Sequence, residues 1–250
     1  MDQKQNLYIV NKAVGETPLE ALERTRISEG LDSIIPMTYA GRLDPMAEGV
    51  LIVLTGEECK NKEKYLGLDK EYEVEILFGF ETDTYDVLGK VVSSEVKVVR
   101  EIQNTEIEQE LQKFKGKFVQ EYPAYSSKTV DGVQLHTLAN KGELPNEMPT
   151  NEVEIYDIQI LEEREINSET LIKEIKNNIL KVKGDFRQPE IIDLWEKNLV
   201  QENKFRIVKI KVTCSSGTYM RSLAYNLGIK IGIPALAYSI KRTRVGGYLI

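Results

Sequence analysis

The chain has 250 residues, 41% of them hydrophobic, with one histidine, two cysteines and a formal net charge of −7. This length allows one large domain or two small ones, with enough apolar residues for a sizeable core. One histidine and two isolated cysteines argue against a zinc site, so we expect no metal ion. The chain has neither an apolar run long enough to span a bilayer nor a basic-then-apolar leader, so we expect a cytoplasmic protein without membrane contact.

Charge is distributed unevenly along the sequence. Of 33 basic and 40 acidic residues, nine basic and no acidic ones lie in residues 203–250, which leaves a net charge of −16 in residues 1–202. A basic final fifth on an acidic body favours contact with a polyanion, and we expect Lys241, Arg242 and Arg244 to contribute to it. The alternative is a solvated strand and helix with a chance bias.

Hydrophobic patterning predicts three elements in the first quarter of the chain. Leu7–Val10 is typical of a short strand. Thr17-Pro18-Leu19-Glu20 forms a capping box with proline at the first helical position, which predicts a helix to about Arg26. The apolar run Val50–Leu54 predicts a buried strand that ends at Gly56.

The remaining elements are mostly strands. Alternation of apolar and charged residues predicts half-buried strands at Tyr72–Phe78 and Phe205–Cys214, and Glu152–Ile160 is also strand-like. Thr105-Glu106-Ile107-Glu108 predicts a second helix with a capping box, and Thr218–Ile229 has helical spacing. Strands that cluster between isolated helices favour an α+β fold with a mixed, largely antiparallel sheet.

The segment Ser168–Gln201 differs from its surroundings because its apolar residues have helical spacing. These residues are Leu171, Ile172, Ile175 and Ile179, followed by Ile191, Leu194, Trp195 and Leu199. We interpret them as faces that pack against the body of the protein. The interpretation is a single domain, residues 1–250, with a helical insertion at about 165–202.

The loop that precedes Val50 places one carboxylate in a constrained backbone. Pro45 fixes its own φ and restricts Asp44 to extended conformations. Gly41 and Gly49 allow backbone angles and close approaches that other residues resist. The residues alone are compatible with an ordinary Asp-Pro turn or with a rigidly held functional carboxylate.

The longer pattern Gly-Arg-Leu-Asp-Pro-x-Ala-x-Gly-Val-Leu, residues 41–51, resembles the nucleophile motif of the TruB family, bacterial tRNA pseudouridine synthases that act on the T-arm. Four further segments resemble the same family in the same order. They are Asp69-Lys70-Glu71-Tyr72-Glu73-Val74, Thr82-Asp83-Thr84-Tyr85-Asp86 with Gly79 and Gly89, Pro123-Ala124-Tyr125-Ser126-Ser127-Lys128 with Gly132, and Cys214-Ser215-Ser216-Gly217-Thr218-Tyr219-Met220-Arg221-Ser222.

The resemblance implies three catalytic residues. Asp44 matches the nucleophile, a role that carboxylates fill in other glycosidic chemistry. Arg221 matches an active-site arginine that would keep the carboxylate ionised and oriented; alternatively it binds phosphate or lies on the surface. Tyr72 matches an aromatic that can stack on a base extruded from RNA, and alternatively it is a core residue of its strand.

The resemblance also implies RNA contacts, and two positions depart from the family pattern. Bacterial members commonly have histidine where this chain has Tyr39, and proline where it has Ala13 after Lys12. A tyrosine can stack where that histidine assists base flipping, but it cannot carry a positive charge. The expected RNA-binding residues are Lys12, Tyr39, Arg42, Asp83, Asp86, Tyr125 and Lys128, besides Lys241, Arg242 and Arg244.

The implied activity is isomerisation of a uridine in the T-arm of tRNA, position 55 in tRNA numbering, to pseudouridine, with tRNA as partner and no cofactor. We expect a monomer without the complete C-terminal PUA domain of many relatives. The alternatives are a pseudouridine synthase that acts on another RNA and a non-catalytic RNA-binding or RNA-folding protein. A carbohydrate-active hydrolase is a remote alternative, because no second catalytic carboxylate has a matching context.

Overall fold

The computed structural model describes residues 6–95, 103–199 and 203–250. The strands in these ranges are β1 (Leu7–Lys12), β2 (Met37–Ala40), β3 (Ala47–Thr55), β4 (Lys70–Phe78), β5 (Phe80–Thr82), β6 (Val91–Ser94), β7 (Gly116–Glu121), β8 (Thr129–Val130), β9 (Val133–Gln134), β10 (Thr150–Asn167), β11 (Lys204–Cys214), β12 (Ala235–Val245) and β13 (Tyr248–Leu249). The helices are α1 (Pro18–Ser28), α2 (Lys62–Leu66), α3 (Asn104–Gln112), α4 (Leu135–Lys141), α5 (Ser168–Ile179), α6 (Gln188–Asn198) and α7 (Met220–Ile231).

One large sheet organises the fold, in the order β1-β3-β12-β4-β11-β10-β7, with β2 beside β3 and β13 beside β12. Among the strands of the described ranges, β3 and β12 pair in parallel and the other pairs are antiparallel. The α+β interpretation with a mixed, largely antiparallel sheet is confirmed. The central strand β4 brings Tyr72 opposite Arg242 of β12 on one side and Val212 of β11 on the other.

Alternation along the central strands places the two largest core clusters on opposite faces of the sheet. On one face, Val74 and Ile210 pack with Leu223 of α7 and Ile107 of α3. On the other face, Leu77, Ile207 and Phe205 belong to a cluster with apolar residues of α5 and α6. The sheet is therefore covered by helices on both sides.

The segment between β10 and β11 forms two helices, as its spacing predicts. Trp195 of α6 is fully buried, its ring centroid lies 5.1 Å from that of Phe80, and its Nε1 donates to the carbonyl of Val87 at 3.2 Å. Pro189 lies in the first turn of α6. The apolar faces of this segment pack against the body of the protein, as expected.

The helix boundaries differ from the predictions at three helices. At α1, the capping box is present, with the Glu20 amide donating to Thr17 Oγ1 and the Thr17 amide donating to Glu20, but the helix continues to Ser28. At α3, the helix begins at Asn104 and no side chain caps it, so the capping box predicted at Thr105 is wrong. Helix α7 begins at Met220, two residues later than predicted.

Candidate active site

The loop between β2 and β3 holds Asp44 at the edge of a cleft of about 750 Å³. Leu43 and Met46, on either side of the Asp-Pro pair, are buried in the two opposite core clusters, which anchors the loop at both ends. The amide of Ala47 donates to the Asp44 carbonyl at 3.0 Å and closes a tight turn. The side chain of Asp44 remains 38% exposed and therefore accessible from the cleft.

Gly41 and Gly49 have φ angles of +81° and +106°, values that other residues adopt at a cost. A Cβ at Gly49 would overlap the backbone carbonyl of Arg242 on β12. Glycine is therefore required where β3 approaches β12, immediately after the carboxylate loop.

Arg242 supports this loop from inside the protein. Its side chain donates from Nε to the Val50 carbonyl at 2.8 Å, from Nη1 to the Arg42 carbonyl at 3.2 Å and from Nη2 to the Gly41 carbonyl at 3.1 Å. Arg242 is 1% exposed. The guanidinium is used to hold the backbone ahead of Asp44, and the expected RNA contact by Arg242, which lines the cleft, stays a prediction.

Arg221 reaches the carboxylate from the first turn of α7. It donates from Nε to Asp44 Oδ2 at 2.8 Å, from Nη1 to the Thr84 carbonyl at 2.8 Å and from Nη2 to the Tyr125 carbonyl at 3.1 Å. Its side chain is 3% exposed, and Asp86 Oδ2 lies 3.8 Å from its Nε. A buried cation near a helix N-terminus is unfavourable by itself, and the two carboxylates compensate for it.

The start of α7 is fixed by Gln120 of β7. Its Oε1 accepts from the Tyr219 amide at 2.8 Å, and its Nε2 donates to the Tyr219 carbonyl at 3.1 Å. Gln120 is buried. Both polar groups of Gln120 are thus used to set the position from which Arg221 projects.

Asp86 lies beneath the cleft in a turn that satisfies its carboxylate internally. Its Oδ1 accepts from the Thr84 hydroxyl at 2.7 Å and from the Leu88 amide at 2.9 Å. Burial raises the pKa of Asp86 to about 6, although Arg221 opposes the shift. Asp86 lines the cleft but is only 5% exposed. Its carboxylate therefore faces Arg221 more than it faces the surface.

Tyr72 is both a core residue and a cleft residue. It is 9% exposed, it packs in the cluster with Leu43, and it lines the cleft. Burial raises the pKa of Tyr72, so its hydroxyl stays protonated at neutral pH. The structure thus brings Asp44, Tyr72 and Arg221 together around one cleft.

Other expected RNA-binding residues divide into those in the cleft and those outside it. Tyr39, exposed Arg42 and Tyr125 line the cleft. Lys128 is exposed, with its Nζ 5.0 Å from the Tyr122 ring centroid. Lys12 is fully buried and donates to the Ala13 carbonyl at 2.9 Å, and the expected RNA contact by Lys12 stays a prediction. Burial lowers the pKa of Lys12 to about 8.

Asp83 is held by Arg187, a residue that was not among the site residues predicted from the sequence. Arg187 Nη1 lies 2.6 Å from Asp83 Oδ2, and Arg187 lines the cleft from the loop between α5 and α6. No motif marks this arginine. His136, the only histidine of the chain, also lines the cleft and was not selected.

The basic final fifth is largely neutralised by acidic residues of neighbouring strands. Cross-strand pairs join Lys209 to Glu73 at 2.7 Å and Lys211 to Glu71 at 3.1 Å. Further pairs are Lys204 with Glu165, Arg206 with Glu163, and Arg244 with Glu71 at 3.9 Å. Exposed Lys241 remains a candidate phosphate contact, but the proposed basic surface is weaker than the sequence predicted.

Comparison with known proteins decides the family. The model of "TruB family pseudouridylate synthase (N terminal domain)" matches residues 35–180, more than half of the chain. The chain belongs to the TruB family. The matched residues of this TruB family member include Asp44 and Tyr72, whereas Arg221 lies beyond them.

Proteins named tRNA pseudouridine synthase B are among the relatives of this TruB chain. The protein from Clostridium tetani is 30% identical over 234 residues, which are 93% of this chain and 65% of that protein. The one from Borreliella afzelii is 30% identical over 97% of this chain and 70% of its own length. The chain therefore spans about two thirds of the length of these curated relatives.

Solved structures support the fold assignment. A crystal structure of a Cbf5-Nop10-Gar1 complex matches 98% of the TruB chain and 50% of the other chain, with a TM-score of 0.59 and 18% identity. An H/ACA RNP bound to a substrate RNA that contains 2′-deoxyuridine matches with a TM-score of 0.56 and 18% identity. At this identity the similarity concerns the fold alone. No helix in the described ranges is long and apolar enough to cross a membrane.

Proposed function

We propose that this protein isomerises a uridine in the T-arm of tRNA to pseudouridine, with Asp44 as nucleophile. One observation carries the proposal: an accessible carboxylate is held at 2.8 Å by a buried arginine, beside an aromatic ring, in one cleft. Membership of the TruB family and the names of the relatives support the same activity.

The chemistry breaks the bond from uracil N1 to ribose C1′, turns the base and forms a bond from C5 to C1′. Asp44 either attacks the sugar or removes a sugar proton, and the C5 proton leaves after the new bond has formed. The target base must first leave the helical stack, at a cost of a few kcal/mol. Arg221 orients Asp44 for this step through its Nε hydrogen bond.

Tyr72 is proposed to contact the extruded base. Its ring lines the cleft, and aromatic rings stack on bases whatever their sequence. Tyr39, Arg42 and Tyr125 are proposed to contact RNA at the cleft, and exposed Lys128, Lys241 and partly exposed Arg244 to contact it outside. Asp83 and Asp86 are proposed to contact the RNA from the turn that lies beside the flipped base.

The proposed setting follows from the substrate. The protein would work as a monomer on tRNA in the cytoplasm, where free thiols such as Cys59 and Cys214 persist. We propose that residues 1–250 form a single catalytic domain in which α5 and α6 are the helical insertion.

The test is incubation with an unmodified tRNA transcript, followed by mapping of pseudouridine at nucleotide resolution. We expect one new pseudouridine in the T-arm, absent when Asp44→Asn replaces the unaltered protein. Pseudouridine should also be mapped in ribosomal and messenger RNA treated in parallel. New pseudouridine there would favour the alternative that the enzyme acts on another RNA. Tight RNA binding without any pseudouridine would favour the non-catalytic alternative.

A further inference from the structure

The loop between α5 and α6, residues 180–187, contacts three walls of the cleft. Next to the first wall, which Thr17, Pro18 and Leu19 line, Lys183 Nζ lies 3.3 Å from Glu20 of α1, and Lys181 packs so closely on Gly15 that a Cβ there would overlap it. The other two walls are the turn at Asp83 and the loop at Tyr125. The cleft itself is lined in part by Asp185, Phe186 and Arg187.

Arg187 joins the second and third walls. Its Nη1 donates to Asp83 Oδ2 at 2.6 Å and to the Tyr125 hydroxyl at 2.8 Å, and its Nη2 donates to Asp83 Oδ1 at 3.4 Å. The guanidinium carbon also lies 4.5 Å from the centroid of the Tyr125 ring. The Arg187 and Asp83 side chains are each only 23% exposed, which shields the pair partly from solvent.

The backbone of Arg187 is adapted to this position. Its φ is +63°, in the left-handed region that costs free energy for a residue with a Cβ. The residue precedes the first turn of α6. The surrounding contacts therefore hold a locally unfavourable conformation that directs Arg187 toward Asp83 and Tyr125.

Arg187 and Arg221 bind the same two segments from different elements. Arg187 binds the side chains of Asp83 and Tyr125, while Arg221 donates to the carbonyls of Thr84 and Tyr125. The remaining Arg221 hydrogen bond goes to Asp44. A shift of either segment would move the carbonyls that orient Arg221 against the nucleophile.

We propose that Arg187 is a positioning residue for the isomerisation proposed above, and that it acts by tying the Asp83 turn to the Tyr125 loop. The inference rests on the proposed function for its effect on turnover. Because the Arg187 hydrogen bonds are made within the protein, the proposed action of Arg187 is through Arg221 and Asp44, not through an RNA phosphate.

The matched control is Arg164, which makes the same two kinds of contact elsewhere. Its Nη2 lies 3.1 Å from Glu75, and its guanidinium carbon lies 5.7 Å from the Tyr238 ring centroid. These three residues are outside the cleft lining. Arg187→Gln and Arg164→Gln therefore remove the same two kinds of contact at and away from the site, and only Arg187→Gln also removes a hydrogen bond to a tyrosine hydroxyl.

We expect Arg187→Gln to lower kcat by about 10- to 100-fold, the range for a displaced catalytic group, with KM changed by less than about 3-fold. Arg187→Lys should recover part of kcat, because it keeps the charge facing Asp83 but loses the planar fork. Arg164→Gln should leave both constants within about 2-fold. An unchanged kcat in Arg187→Gln, or an equal loss in Arg164→Gln, overturns the proposal.

A rise in KM at unchanged kcat would also overturn it, because it would make Arg187 an RNA contact. A second measurement does not depend on activity. Hydrogen exchange followed by mass spectrometry should be faster in peptides covering residues 80–90 and 120–128 of Arg187→Gln, and unchanged in Arg164→Gln. If the unaltered protein forms no pseudouridine, the proposed function fails, and the exchange result still decides whether Arg187 ties the two segments.

Discussion

The Nε of Arg221 donates to Asp44 Oδ2 across 177 residues of sequence, and the same guanidinium lies 3.8 Å from Asp86. One buried cation therefore faces two carboxylates. Burial by itself lowers the pKa of Arg221, but Asp44 and Asp86 more than offset this effect and raise it. Arg221 thus stays charged beside Asp44.

Asp44→Asn is expected to abolish pseudouridine formation and to leave RNA affinity within about 3-fold, because the amide is nearly isosteric and the cleft persists. Turnover should be measured by single-turnover release of the C5 proton, and affinity by filter binding. Glu48→Gln, which is close in sequence but outside the cleft lining, serves as a control that leaves the nucleophile intact. Substantial turnover by the Asn variant would remove the assignment of Asp44.

Arg221→Lys is expected to lower turnover by about 100-fold or more, because lysine cannot reach Asp44 and two backbone carbonyls in one plane. The two carbonyls, on Thr84 and Tyr125, are left without their charged donor, so a lower melting temperature should accompany the loss. Kinetics and thermal unfolding measured together check this. Full activity in the Lys variant would reduce Arg221 to a simple charge.

Asp86→Asn is expected to remove a pH dependence of the free energy of unfolding. The folded pKa of Asp86 is raised to about 6 from 3.8, so the folded state binds the proton more tightly than the unfolded state. Its contribution to stability is therefore fully present below about pH 4 and is lost as pH rises through about 6. Urea unfolding across this window should show the unaltered protein losing stability relative to Asp86→Asn; a constant difference contradicts the assignment.

RNA binding is expected to weaken with salt, but through fewer cations than the sequence indicates. Lys241→Gln should reduce the slope of log affinity against log salt by roughly 0.7–0.9, the effect of one phosphate contact. Lys209→Gln should leave the slope unchanged, because the Lys209 ammonium lies 2.7 Å from Glu73. Filter binding at several salt concentrations tests both variants. Equal slopes for Lys241→Gln and the unaltered protein would exclude Lys241 from the interface.

Tyr39→Ala is expected to slow modification of a structured tRNA more than that of a short, flexible stem-loop, whose bases are easier to unstack. Stacking contributes about 1–3 kcal/mol per base, and Tyr39→Phe should be mild because the ring remains. The structure also supports a packing role, since the ring packs against the cluster of Val10 and Leu22 and lies 5.6 Å from Lys62 Nζ. Equal loss on both RNAs with a lower melting temperature would decide for packing.

The sequence predicted the elements whose signals lie within a few neighbouring residues. Alternation along Tyr72–Phe78 located β4, and the box at Thr17 located α1, because both signals lie within a few neighbouring residues. The proline, the glycines and the family resemblance of the Asp44 loop indicated that it belongs to the active site. The pairing of Asp44 with Arg221 came from that resemblance alone, because no local pattern joins residues that far apart.

The sequence does not reveal side-chain partners that are determined by the register between neighbouring strands. Lys209 and Lys211 belong to a stretch without acidic residues, yet the register of β11 beside β4 places Glu73 and Glu71 next to them. In the same way, Arg242 belongs to a basic cluster by sequence but points into the interior. Charge counted along the chain does not reveal such partners.

Arg242 has a consequence for the order in which the protein matures. The carbonyls of Gly41 and Arg42 receive their donors from a residue 201 and 200 positions later. During synthesis the loop that carries the carboxylate is made well before β12, the strand that supplies its internal support. A ribosome-bound or prematurely terminated chain that ends before β12 therefore lacks these donors to the Asp44 loop, so competence for chemistry requires synthesis to extend through β12.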